Sequence, residues 1–265
     1  MNKAMPLPKY HQIYLVLREQ LHDGKFAQGV PSELALMQQF SVARVTVRRA
    51  LAQLAQEGLI SREPGRGTRA LAPLGAAKAK PVGPKSQRAQ LTGLLENLVT
   101  MGLRTTVKVL SVQYLPAPEE VAMALQLQVG DGVQKAQRVR LTKDGPLSHI
   151  TTWVPETIAR NFGRKELAQK PILMLLEESG VKVGRAEQSI SAKLADASMA
   201  QHLDVALGSA LLAVSRLIYD TEDKPIQWLH GLYRPDRYEY QMQLSRVGSI
   251  DAKVWVSKEL SANFH

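Results

Sequence analysis

Residues 10–22 (YHQIYLVLREQLH) set Tyr10, Ile13, Tyr14, Leu17 and Leu21 three and four positions apart, the apolar stripe of an amphipathic helix, and Asp23-Gly24 supplies its stop. A second, short helix is expected to start at Pro31-Ser32-Glu33. There the Ser32 hydroxyl can accept from an otherwise unpaired backbone N–H, and Leu34, Met37 and Phe40 form the buried face. Ser41 to Arg44 reads as a four-residue turn. Beyond it Val47, Ala50, Leu51, Leu54 and Ala55 repeat at helical spacing, so a third helix turns this stripe inward. Leu59-Ile60-Ser61-Arg62 and Thr68-Arg69-Ala70-Leu71 then flank Glu63-Pro64-Gly65-Arg66-Gly67, the pattern of a β-hairpin with a glycine-rich tip.

Two short helices joined by a tight turn make a helix-turn-helix, whose second member can enter a DNA major groove, and the hairpin adds a wing. The outward face of that second member carries Arg44, Thr46, Arg48 and Arg49 in its first two turns. The candidate DNA-contacting set is these four, Ser32 and Glu33 at the preceding helix start, and Arg62, Gly65, Arg66, Gly67 and Thr68 in the wing. Arginines on a helix face are also common as plain solvated groups. Charge distribution adds weight to the DNA reading. Residues 1–90 carry 14 Lys/Arg against 5 Asp/Glu, a net of +9, whereas residues 91–265 carry 20 against 19. Basic patches serve anionic membranes and acidic proteins too, so charge alone does not choose. The stretch PSELALMQQFSVARVTVRRALAQLAQEGLISREPGRGT resembles the winged helix-turn-helix of the GntR family of bacterial regulators, over roughly residues 8–71. The resemblance implies that Arg44, Thr46, Arg48 and the wing glycine Gly65 approach operator DNA. Two positions depart from the family pattern. Leu34 stands where Arg or a polar residue is usual, and Ala43 where Ser or Thr would cap the third helix; losing such a cap costs about 1 kcal/mol.

Residues 72–90 (APLGAAKAKPVGPKSQRAQ) mix Ala, Gly, Pro and Lys without an acidic residue and read as a basic tether. After it the chain repeats itself. A shift of 78 residues lays Ala117 on Ala195, Gly130 on Gly208, Arg138 on Arg216 and Leu141 on Tyr219; one residue more lays Pro146 on Pro225. Each copy reads as a strand, a short helix from near Pro118 or Asp196, and a two-stranded hairpin turning at Lys143-Asp144-Gly145 or at Thr221 to Lys224. Two copies predict a pseudo-symmetric antiparallel sheet. Further helices are expected at 91–101 and 171–179.

Met101-Gly102-Leu103, the strand Val107 to Tyr114, Arg138-Val139-Arg140, Gly145-Pro146-Leu147 and Tyr233-Arg234-Pro235-Asp236-Arg237-Tyr238 occur in an order that resembles the UTRA ligand-sensing domain of the HutC subgroup of GntR regulators. The resemblance covers about residues 90–245 and implies a chorismate-lyase-like fold. The expected class is therefore α+β, with a winged helix-turn-helix domain at 1–71, a linker at 72–90, an effector-binding domain at 91–245 and a C-terminal extension at 246–265 whose role is unreadable. Strand alternation puts Arg138 with Arg140, Ile150 with Thr152, and Gln227 with Tyr233 on single faces. The resemblance makes these faces the lining of the effector pocket, joined by Thr92. Paired guanidinium groups favour an anion, unless one of them pairs with an acid across the sheet. In members that bind sugar phosphates, strand glutamates fall at Ile150 and Gln227, and the phosphate-holding Ser and Tyr fall at Pro171 and Leu173. Those contacts are missing, which points to a smaller, more apolar organic acid.

The chain has no cysteine, which excludes disulfides, thiolate nucleophiles and thiolate metal sites. Its six histidines show no metal spacing, so no metal or cofactor is expected. His149, His230, Trp153 and Trp228 alternate onto the face away from the pocket. No apolar run is long enough to span a bilayer, and the start MNKAMPLPKYHQIY lacks a secretory signal, so the cytoplasm is the expected location. The function expected is a repressor that binds a palindromic operator in double-stranded DNA as a homodimer and answers to a small anionic metabolite. The alternatives are an enzyme on the chorismate-lyase-like domain, for which no nucleophile–base pair is visible, and a constitutive DNA-binding protein.

Overall fold

A computed structural model describes residues 8–26, 29–63, 67–71, 105–247 and 254–264. The linker at 72–90, the helix expected at 91–101, Thr92 and the wing-tip residues Gly65 and Arg66 lie outside the described residues. The chain divides into two compact units, Met1–Pro84 with Lys193–Ala210, and Lys85–Ala192 with Leu211–His265.

The first unit opens with α1 (Lys9–His22), α2 (Glu33–Phe40) and α3 (Arg44–Gln56), followed by β1 (Ile60–Glu63) and β2 (Gly67–Ala70), which pair antiparallel with Ile60 opposite Ala70. Asp23 caps α1, and Gly24 follows in the left-handed region at φ 70°, where a residue without Cβ is unstrained. The Ser32 hydroxyl accepts from the Ala35 N–H at 3.2 Å, as the sequence predicts, while Ala43 offers α3 no side-chain cap. Ile13, Leu17, Leu36, Phe40, Val47, Ala50, Leu51 and Leu54 form one core. The predicted inward face of α2 needs correction: Leu36 and Phe40 are buried, but Leu34 is 64% exposed. An eight-residue helix of composition ELALMQQF carries two apolar rows, and packing on α3 selects the row of Leu36 and Phe40. Leu54 is fully buried in α3. Leu54→Ala should cost about 2–5 kcal/mol and lower the denaturant midpoint of the transition that reports this unit.

The second unit is organised on a six-stranded sheet. Its strands are β3 (Thr106–Pro116), β4 (Gly132–Thr142), β5 (Gly145–Pro155), β6 (Val183–Leu194), β7 (Ala210–Asp220) and β8 (Pro225–Tyr233), in the palindromic order β3-β4-β5-β8-β7-β6. The internal repeat is visible in its bonding. In the first copy Ala117 N donates to Asp131 O and Gly130 N to Ala117 O; in the second Ala195 N donates to Ser209 O and Gly208 N to Ala195 O. The helix of each copy sits where Pro118 and Asp196 predict it, as α4 (Glu119–Leu125) and, in the Lys193–Ala210 segment that groups with the first unit, as α8 (Ala197–Leu203). Between the copies run α5 (Glu156–Ala159), α6 (Arg164–Gln169) and α7 (Ile172–Glu178). Ala159, Leu167, Leu173, Leu175 and Leu176 from these helices pack on Val109, Ala136, Val154 and Ile218 of the sheet. On the other side Val121, Ala122 and Leu125 of α4 pack with Val133 and Trp153. β9 (Tyr238–Val247) pairs antiparallel with β10 (Val254–Phe264), so most of the C-terminal extension forms a strand. No helix among the described residues is long and apolar enough to cross a membrane.

Candidate functional site

Two surfaces carry chemistry. The first lies on α2 and α3. Glu33, one residue past the α2 cap, accepts from Arg44 Nε at 2.8 Å and from Arg48 Nε at 3.3 Å. One carboxylate thus holds two guanidinium groups a turn apart on α3, and these cations hold its pKa below the ordinary carboxylate range. The arginine side chains are 66% and 61% exposed, so their remaining N–H donors face outward. Thr46 lies half-buried between them and Val45 is 72% exposed, an apolar group displayed beside two cations. Arg49 is placed differently: its guanidinium lies 3.8 Å over the Tyr10 ring of α1, a cation–π contact that draws it toward the helical body. Ser32 is exposed and engaged as the α2 cap. In the hairpin Arg62 pairs in register with Thr68, and Glu63 with Gly67.

The second surface is a cavity of about 50 Å³ on the α7 side of the six-stranded sheet, lined by Arg138, Arg140, Ile150, Pro171, Ile172, Leu173, Arg216, Ile218, Gln227, Leu229 and Tyr233. The β4–β5 register sets Arg138 opposite Ile150, and β5–β8 sets Ile150 opposite Gly231, so alternate residues of neighbouring strands share this face. Gly231 has a specific reason to lack a side chain: a Cβ there would meet the Tyr233 ring at 2.6 Å. That ring stacks on Tyr238 with centroids 4.4 Å apart. Arg138 is only 4% exposed; its Nη2 donates to Thr152 Oγ1 at 3.3 Å, and its buried Nε has no partner. Burial, with Arg140 as a neighbouring like charge, lowers Arg138 to about 10, which leaves it cationic at neutral pH. Burial lowers Arg140 as well, and its Nη1 donates to Thr105 Oγ1 at 2.6 Å. Gln227 is fully buried and neither of its amide atoms is partnered.

Of the seven residues the sequence assigns to an effector, Arg138, Arg140, Ile150, Gln227 and Tyr233 meet in this cavity. Thr152 sits behind it as the hydroxyl that orients Arg138. Trp153 and Trp228 are direct cross-strand partners and do not line the cavity, nor do His149 and His230. Among the described residues no three His, Asp or Glu side chains could hold a metal ion.

Residues 9–69 match the family described as bacterial regulatory proteins, gntR family, and residues 100–239 match the UTRA domain. The chain belongs to the GntR family and carries a UTRA domain. It is similar to the HTH-type transcriptional repressor NagR of Bacillus subtilis, 27% identical over 250 residues that cover 93% of this chain and 98% of that one. The mannosyl-D-glycerate transport/metabolism system repressor MngR of Escherichia coli is 26% identical over 249 residues, 91% of this chain and 98% of its own. The solved ligand-binding domain of a GntR-family regulator from Bordetella bronchiseptica is 32% identical, with a TM-score of 0.51 over 54% of this chain and 93% of that one.

This GntR regulator is therefore a transcription regulator with an effector-binding domain, and not an enzyme. Two features of its sites escape the sequence. Val45 follows no apolar stripe and so carries no signal, although an outward apolar group between arginines can meet a thymine methyl. Arg216 is visible only as the repeat partner of Arg138, yet it lines the same cavity. The clamp at Glu33 makes a prediction. Exposed ion pairs contribute about 0–1 kcal/mol to stability, so Glu33→Gln should leave melting almost unchanged. It removes a negative charge from the basic face of α3 and frees both arginines. Titrations over a range of salt should then show tighter binding to random DNA, with the slope of log affinity against log salt steeper by up to about one.

Proposed function

We propose that this regulator is a cytoplasmic repressor of the HutC subgroup that binds a palindromic operator as a homodimer and is released from it by a small organic acid held at Arg138 and Arg140. The observation that carries the reading is Arg138: a guanidinium almost fully buried, with a donor left unpartnered inside a cavity whose other walls are largely apolar. Such a charge is costly in the empty protein and is satisfied when a carboxylate enters. Ile150 and Gln227 give an amino-sugar ammonium no carboxylate to pair with, and Pro171 and Leu173 give a phosphate no hydroxyl. That the relatives NagR and MngR are named as repressors supports the sign of the regulation.

Release follows from linkage. An acid that binds more tightly to the arrangement with misplaced recognition helices lowers operator affinity by the same factor by which operator lowers acid affinity. Paired α3 helices require half-sites about one DNA turn, ~34 Å, apart. Thermal-shift screening of the full chain against carboxylic acids and glucosamine 6-phosphate tests the effector class. Stabilisation by an acid, with loss of operator binding at the same concentration, is the expected result; stabilisation by glucosamine 6-phosphate with the acids inert overturns it.

A further inference from the structure

The cavity is built twice over. Arg138 and Ile150 of the first copy correspond to Arg216 and Leu229 of the second, at displacements of 78 and 79 residues, and all four line it. Because β5 and β8 meet at the centre of the sheet, β4 and β7 flank them. Across the sheet Arg138 and Arg216 therefore stand three strand spacings apart, about 14 Å, with Arg216 two residues along β7 from the Val214 that continues the row of Arg138, and they reach in from opposite sides. Each is 4% exposed. Neither has a carboxylate partner among the described residues: Arg138 donates to the Thr152 hydroxyl, and Arg216 donates through Nε, at 2.8 Å, and through Nη2 to the amide oxygen of Gln188. The middle of the cavity is apolar, with Ile150 and Leu229 from the sheet and Ile172 and Leu173 from α7. The ends differ in detail, since Arg140 has Ile218 as its repeat counterpart, while Gln227 lies on the strand beside Ile218 with its amide unpartnered.

A cation at each end and hydrocarbon between is the complement of a molecule with an anion at each end and hydrocarbon between. We propose that the effector is a short dicarboxylate, one carboxylate on Arg138 and Arg140, the other on Arg216 and Gln227, with its chain across Ile150 and Leu229. A single carboxylate would leave the second buried guanidinium with only the neutral Gln188, whereas a second carboxylate can take its fork of donors in two parallel bonds. The cavity of about 50 Å³ favours a short chain. This inference rests on the reading of the cavity as an acid-binding effector site and adds the second head.

The test is calorimetric titration of the full chain with malonate, succinate, glutarate and adipate, each beside its own monoamide. The pairs match in length and shape and differ by one charge. At least one diacid should bind about tenfold or more tightly than its monoamide. In Arg216→Gln that ratio should fall to about one, and Arg216→Lys should keep part of it; melting of the unliganded variants checks that they fold. If no diacid outbinds its monoamide, or if the ratio survives in Arg216→Gln, the second head is wrong. Monoamides and diacids binding equally well would leave the acid-binding reading intact and remove only this inference. Failure of every acid, with glucosamine 6-phosphate binding, would remove both.

Discussion

Arg44→Ala and Arg48→Ala should each weaken operator binding by about 1–3 kcal/mol, roughly 5- to 150-fold, and together should leave only the affinity shown for random DNA. The geometry makes the pair a unit. Both guanidinium groups are held by the one carboxylate of Glu33, so their spare donors are presented in fixed positions before DNA arrives, and little side-chain entropy is lost on binding. Truncating either takes one guanidinium from Glu33, so the second arginine is disturbed as well, and the two losses need not add. Stability should hardly change, because both side chains are more than half exposed and surface ion pairs contribute little. Fluorescence anisotropy on a palindromic promoter fragment over a range of salt separates two roles. An arginine on a phosphate lowers the salt slope by about one and weakens all sequences alike; an arginine on a guanine edge lowers the preference for operator with less change in slope. Undiminished operator affinity in the double variant would show that the basic face of α3 is not the DNA-binding surface. Arg49→Ala is the internal comparison: its guanidinium is drawn over Tyr10, so its loss should be the mildest of the three.

The first unit is legible in the sequence because a small helical core is a problem in periodicity. Ile13, Leu17, Val47, Leu51 and Leu54 are buried where the stripes put them, and the hairpin pairs around its glycine-rich tip. The error at Leu34 arises where periodicity has no unique answer: two apolar rows run along two turns of helix, and only the neighbouring helix decides between them. In the second unit alternation finds the face of each strand, so Arg138, Arg140, Ile150, Gln227 and Tyr233 reach one cavity. It does not supply strand order. That β5 pairs with β8, bringing the two copies edge to edge and Arg216 into the same cavity as Arg138, follows from tertiary pairing between residues such as Ile150 and Gly231, 81 positions apart. The helices at 156–159 and 164–169 escape for a simpler reason, being too short for a helical period to show.

Arg138→Met should raise the melting temperature of the unliganded protein and abolish its response to acids. The argument turns on what the buried guanidinium does when the cavity is empty. Among the described residues it has one neutral hydrogen bond, an unpartnered Nε and a second cation two residues along the same strand face, and it faces Ile150 across the register. Replacing buried ionic groups by apolar ones of similar volume is often neutral or stabilising by about 1–4 kcal/mol, which for a domain of this size is roughly 2–4 °C per kcal/mol. Methionine fits the length and flexibility of the arginine stem and leaves only the Thr152 hydroxyl to find another partner. The same change removes a charge-assisted fork to the ligand, so acid binding should fall by at least about 1.5–3 kcal/mol and the operator should stay occupied at acid concentrations that clear the wild type. Differential scanning calorimetry and operator-release titrations read the two halves separately. A variant that melts much earlier than wild type would mean that Arg138 is a structural member of the sheet, and its burial would no longer argue for a ligand. A variant that melts later and ignores acids identifies a charge kept at the expense of stability, retained because an anion completes it.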